Sequence, residues 1–99
     1  RYGIVNAGNP LMATPGSGDV LTGLAVSVWG RSGSAYEALA AAAFLHSLAG
    51  DIAAATGAAS ILAGEIADRI PEAMAMALRA GETGARPEDA EYYEIRRAV

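Results

Sequence analysis

The chain has 99 residues, 53% of them hydrophobic, which is enough for one small domain with a modest core. It has no cysteine, which excludes a disulfide framework and a thiolate metal site and is typical of a cytoplasmic protein. A formal net charge of −4 disfavours nucleic acid as a partner, and because all seven basic residues are arginine, these residues supply no phosphate-binding or Schiff-base lysine.

The first predicted element is a short β-strand over residues 2–5, which the turn cluster "NAGNP" ends. A lone strand needs neighbours to pair with, so we expect this chain to be part of a larger α/β fold. The longest uncharged helical run, residues 38–50, is shorter than the roughly 20 residues that a membrane span needs. We therefore expect no membrane partner and, lacking the pattern of a signal peptide, a cytoplasmic location.

The first predicted helix opens at Asp19 and ends near Gly30 and Gly33. Its apolar residues recur at helical spacing and are predicted to share one face: Val20, Leu21, Leu24 and Val28.

The second predicted helix has Ser34 as its N-cap, and Glu37 completes a capping box. It is closed by Gly57. Its large apolar residues also recur at helical spacing: Leu45, Leu48 and Ile52.

The third predicted helix contains Pro71, which should kink it or restart it. Residues 81–99 are charged and are predicted to form a tail, with a short helix as the alternative, so that residues 1–80 form the folded segment. One face of the third helix is predicted to carry Leu62, Ile66, Ile70, Ala73 and Ala77.

The stretch "TPGSGD" before the first helix has the composition of an anion-binding loop. Gly16 and Gly18 allow successive backbone N–H groups to form a concave nest, and the helix N-terminus adds further N–H groups. Asp19 has two interpretations that the loop alone does not separate. It is either the cap of the helix or a general base beside a bound phosphoryl group.

Three segments together resemble a known family: "NAGNPLMATPGSGDVLTGLA", "AYEALAAAAFLHSLAGDIAA" and "ILAGEIADRIPEAM". They are similar to the C-terminal part of the ADP/ATP-dependent NAD(P)H-hydrate dehydratases of the ribokinase-like superfamily. The resemblance covers residues 5–79 and implies a piece of a three-layer α/β fold, mostly helical here, with about three helices after one short strand. Pro15 departs from the family pattern, which has glycine there, and its missing N–H would remove one donor from the nest.

The resemblance also implies roles for individual residues. Asp19 would be the catalytic base and would touch the hydrated nicotinamide substrate. Asn6 and Asn9 would lie where the chain passes the adenosine side of the nucleotide cleft. The anion hole facing the terminal phosphate would comprise Gly16, Ser17 and Gly18.

The implied activity is the repair of hydrated NAD(P)H to NAD(P)H by a carbon–oxygen lyase that uses ADP or ATP, with Mg²⁺ held through the nucleotide. Most of the sheet should precede this segment, so we expect residues 1–99 alone to be inactive and to need the missing N-terminal part or to form a homo-oligomer. The alternatives are another ribokinase-like metabolite or vitamin kinase, and a truncated, non-catalytic helical subunit or docking piece.

Other chemically capable residues are predicted to be structural. His46, the single histidine, is interpreted as a core residue or one behind the site, because one histidine cannot hold a metal. His46, Ser47 and Asp51 are not expected to point together as a catalytic triad. Met12 is expected to fill the core, and Trp29 to pack at an interface.

Overall fold

The structure is a computed structural model that describes residues 5–82. Within this range the backbone forms a short 3-10 helix and four α-helices, and no strand. The predicted strand, apart from Val5, and residues 83–99 of the predicted tail lie outside the described residues. The tail was predicted to begin at residue 81, but residues 81 and 82 are the last two of a helix. The helices are α1 Ser17–Ser32, α2 Ala35–Ala54, α3 Ala63–Asp68 and α4 Ile70–Glu82, and the 3-10 helix is Pro10–Met12.

Helix α2 is the centre of the fold, and the other helices pack around it. Alanine is the commonest residue in its buried part, and these small side chains let neighbouring backbones approach closely. The predicted face is confirmed for Leu45 and Leu48, which are buried, while Ile52 packs against the core from a half-buried position. The buried residues of α2 are Ala38, Ala41, Ala42, Phe44, Leu45, His46, Leu48, Ala49, Gly50 and Ala53.

The end of α1 and the start of α2 have recognisable local causes, whereas α2 ends at Ala54, three residues before the predicted Gly57. Gly33 has φ 73°, and its N–H donates to the Trp29 carbonyl at 3.1 Å, which ends α1 as predicted. Ser34 is the N-cap of α2, since its hydroxyl accepts from the Glu37 N–H at 3.4 Å. The predicted start of α1 was wrong by two residues: the helix begins at Ser17, and Asp19 lies inside its first turn.

Helix α2 has 20 residues and, by length and apolar composition, is the one helix among residues 5–82 that would suffice to cross a membrane. Half of its most apolar window is buried inside the fold. The predicted run of residues 38–50 therefore belongs to a longer helix, which extends through Asp51 to Ala54.

The third predicted helix is two helices. The chain breaks at Arg69, and Pro71 is the second residue of α4, a position where its missing N–H costs no helical hydrogen bond. Ile66, Ala73 and Ala77 are buried as predicted, and Ile70 is half-buried. Leu62 was wrongly assigned to this face: it precedes α3 as the N-cap and is 66% exposed.

Candidate anion-binding site

The segment before α1 is a tight turn over residues 14–17. The Ser17 N–H donates to the Thr14 carbonyl at 3.2 Å, and Gly16 has φ 90° and ψ −10°. These angles are those of the third residue of a type II turn, where glycine is required and proline commonly precedes it. Pro15 is therefore suited to the backbone of this loop, and Gly16 is also the N-cap from which α1 starts.

The turn changes which groups are open to an anion. Ser17 was predicted to belong to the anion-binding nest. Its N–H does not take part, because it donates to the Thr14 carbonyl. Within the described part of the chain, the backbone N–H groups of Gly16, Gly18 and Asp19 donate no hydrogen bond. The last two belong to the first turn of a 16-residue helix, whose dipole also favours a negative charge there.

Asp19 is the acidic residue in the first turn of α1. It is exposed, and its carboxylate accepts no hydrogen bond from residues 5–82. Asp19 is not the N-cap of α1, so the interpretation of it as the helix cap is wrong. A carboxylate that caps no N–H and lies beside open backbone donors remains available to a ligand, and its role as a base remains a prediction.

His46 contacts the glycine loop from α2. Its Nε2 lies 3.0 Å from the Ser17 carbonyl oxygen and 3.3 Å from the Ser17 Oγ. Both residues are buried, each with 8% of its surface exposed. His46 therefore lies directly behind a predicted anion-hole residue, in agreement with the interpretation that it supports the site.

Asp51, five residues further along α2, holds the other end of the loop. Its Oδ2 accepts from the Gly8 N–H at 3.0 Å and its Oδ1 from the Asn9 Nδ2 at 2.7 Å. Since His46 faces Ser17 and Asp51 faces Gly8 and Asn9, the two do not form a triad, as predicted.

The two predicted adenosine-side residues are placed differently. Asn9 caps the 3-10 helix, where its Oδ1 accepts from the Leu11 N–H at 3.1 Å, and it also donates to Asp51. Asn6 is exposed and has no hydrogen-bond partner among residues 5–82. Their nucleotide contacts stay predictions.

A third contact lies between these two. A Cβ atom added to Gly50 would overlap the Met12 side chain, so the thioether packs directly on the α2 backbone. His46, Gly50 and Asp51 therefore present one face of α2 to the whole segment from Gly8 to Ser17. We define this set of three residues as the α2 clamp. Sequence reasoning missed it, although the spacing of four residues between His46 and Gly50 is the signal for a shared helix face.

Replacing Gly16 by alanine should lower the free energy of unfolding by about 1–3 kcal/mol, because a side chain is strained at positive φ. The new Cβ would also lie 3.2 Å from the Cβ of Ala63, the first residue of α3, which is closer than ordinary van der Waals contact. Chemical denaturation of the protein checks this. The matched control is Gly23→Ala, which meets no atom within 4 Å in α1 and should be neutral or stabilising. Equal stability of the two variants would contradict the turn.

No group of three or more histidine, cysteine, aspartate and glutamate side chains suited to a metal lies among residues 5–82. Comparison with known proteins bears on what the anion would be. The family model described as NAD(P)H-hydrate dehydratase matches residues 1–72.

Similar proteins are named as NAD(P)H-hydrate repair enzymes or dehydratases. The bifunctional NAD(P)H-hydrate repair enzyme Nnr of Moorella thermoacetica is 46% identical over 65 residues, which cover 65% of this chain and 12% of that protein. The ADP-dependent (S)-NAD(P)H-hydrate dehydratase of Neisseria meningitidis is 44% identical over 63 residues, covering 62% of this chain and 21% of that protein. Its namesake in Cenarchaeum symbiosum is 37% identical over 67 residues, covering 68% of this chain and 23% of that protein.

This chain spans less than a quarter of the length of each of these relatives. No solved structure matches it. The family match nevertheless includes the turn, α1, α2 and α3, and so all the residues of the candidate site. On this match, and in agreement with the resemblance in its motifs, the chain belongs to the NAD(P)H-hydrate dehydratase family.

Proposed function

We propose that the protein carrying this chain repairs hydrated NADH or NADPH, using ADP or ATP, as a carbon–oxygen lyase. The single observation that carries the proposal is the open end of α1, where unpaired N–H groups, the Ser17 hydroxyl and the unpartnered Asp19 carboxylate lie within three consecutive residues. The names of the relatives support ADP as the nucleotide. They also favour the dehydratase over a vitamin kinase or a non-catalytic piece.

The proposed chemistry assigns a different task to each group. The terminal phosphoryl group of the nucleotide is held by the N–H groups of Gly16 and Gly18 and by the Ser17 hydroxyl. Mg²⁺ would be held through the nucleotide. Asp19 removes the proton from the hydroxyl of the hydrated ring as that oxygen takes the phosphoryl group. The terminal P–O bond of the nucleotide breaks in this transfer, so that ADP leaves as AMP or ATP as ADP. Cleavage of the ring C–O bond then expels phosphate, and loss of a proton from the adjacent ring carbon restores the double bond.

The surrounding fold is proposed to be the C-terminal part of a ribokinase-like three-layer structure. Three large apolar side chains are exposed, which supports the proposal that further protein covers them: Val26 is 64%, Trp29 52% and Leu39 55% exposed. A preceding part of the same polypeptide would cover them in this proposal, and a second copy in a homo-oligomer is the other possibility. The proposed partners are small nucleotides in the cytoplasm, with no nucleic acid or membrane.

The experiment is an assay of the full-length gene product that carries this chain. With hydrated NADH as substrate, adding ADP or ATP should restore the absorbance and fluorescence of the dihydronicotinamide ring. Residues 1–99 alone should show no turnover, because nothing among the described residues encloses an adenine or a nicotinamide. If the full-length product instead transfers a phosphoryl group from ADP or ATP to a vitamin alcohol and leaves hydrated NADH unrepaired, the kinase alternative replaces this proposal.

A further inference from the structure

The contact between His46 and Ser17 joins two residues that are 29 positions apart in the chain. His46 belongs to α2, the central helix, and is flanked by the fully buried Leu45. The imidazole is thus attached to the buried central helix, while Ser17 is the first residue of α1. A bond between them fixes the start of α1 relative to the core.

The chemistry of the two oxygens determines which atom donates. The Ser17 carbonyl can only accept a hydrogen bond, so its 3.0 Å contact requires a proton on the His46 Nε2. The His46 Nε2 also lies 3.3 Å from the Ser17 Oγ, so its N–H is shared between two acceptors, of which the hydroxyl oxygen is the weaker. His46 therefore cannot remove a proton from Ser17, which excludes a serine nucleophile activated by this histidine.

The Ser17 hydroxyl keeps its own proton in this arrangement. Because its oxygen lone pair is engaged by His46, the O–H bond is oriented away from the imidazole. The next two residues of α1, Gly18 and Asp19, have backbone N–H groups that donate no hydrogen bond within the described residues. An anion bound there would receive the hydroxyl proton as one more hydrogen bond.

We infer that His46 is a positioning residue, which holds the Ser17 hydroxyl in its donor orientation toward a bound phosphoryl group. The inference rests on the proposed function for the identity of that group, but the orientation itself rests on the two contacts. A preorganised donor raises kcat because it needs no rearrangement as charge develops on the reacting group.

The first test compares kcat and KM for His46→Leu in the full-length gene product. We expect kcat to fall about tenfold to hundredfold, less than the roughly hundredfold or greater loss typical of deleting a donor outright. The KM for the hydrated dinucleotide should not change, and His46→Gln, which can present an N–H at a similar position, should recover part of kcat. Leu45→Ala is the control, since it removes packing from the same helix without removing a hydrogen bond.

A double-mutant cycle separates positioning from general destabilisation. In a Ser17→Ala background the hydroxyl is already lost, so adding His46→Leu should lower kcat by less than about threefold. An equal loss in both backgrounds would overturn the inference, as would an unchanged kcat for His46→Leu in an active enzyme.

The second test does not depend on activity. Nitrogen-15 NMR of the histidine ring, with the His46 signal identified by its disappearance in His46→Leu, should show a proton on Nε2. The Ser17→Ala variant should shift that signal. A ring protonated at Nδ1 alone would disprove the inference even if the repair activity is found, whereas an inactive protein with the expected proton on Nε2 would count against the proposed function only.

Discussion

Replacing Asp19 by asparagine should lower turnover by about two to four orders of magnitude, the usual contribution of a positioned general base. The change keeps the size of the side chain and removes its ability to take a proton. Because Asp19 is neither an N-cap nor hydrogen-bonded within the described residues, the fold should lose only the interaction of its charge with the helix dipole, about 0.3–1 kcal/mol. Nucleotide affinity should be retained, since the anion is bound by other groups.

The measurement is kcat with hydrated NADH, beside nucleotide binding by calorimetry and unfolding by denaturant. Glu65→Gln is a matched control, because Glu65 is also an exposed acidic residue in the first turn of a helix. It should leave kcat unchanged. Turnover of Asp19→Asn within a factor of two or so of the control would exclude a base and leave Asp19 with an electrostatic role alone.

Replacing Asp51 by alanine should release the Gly8–Asn9 end of the site from the α2 clamp. Two charge-assisted hydrogen bonds are lost, and the Gly8 N–H and the Asn9 amide are left without their acceptor. Because this region is only partly buried, we expect a loss of about 1–3 kcal/mol in the free energy of unfolding. If Asn6 and Asn9 lie beside the nucleotide, as the family resemblance implies, the KM for ADP should rise by a larger factor than kcat falls.

Denaturant unfolding and steady-state kinetics in the same buffer test this. Asp68→Ala serves as the control, since Asp68 is an exposed aspartate at the end of α3 with no hydrogen bond or ion pair within the described residues. Asp51→Asn, which keeps one acceptor oxygen, should lie between the two. Should Asp51→Ala and Asp68→Ala lose the same stability and keep the same KM, the clamp has no role in holding the loop.

The sequence alone predicted the features that depend on a few neighbouring residues. Gly33 ends α1 because only glycine adopts positive φ without strain, and Ser34 caps α2 because its hydroxyl reaches an N–H three residues away. Pro71 restarts the chain as α4 for an equally local reason. The family membership was also available from the order of the motifs, which the family match confirms.

The local prediction failed where two signals overlapped. Asp19 is a good cap residue, but the Pro15-Gly16 turn closes on the Ser17 N–H and starts the helix two residues earlier. Leu62 has helical spacing relative to Ile66, yet the chain is extended there, so its side chain does not join the buried face.

Only the tertiary structure decided how the site is held together. His46 meets Ser17 across 29 positions, and Asp51 meets Gly8 across 43. No pattern within a helix reports such contacts, because they depend on how α2 packs against the loop after both have formed. The residues of the anion site were thus determined locally by turn and helix chemistry, whereas their orientation was determined by the packing of the central helix behind them.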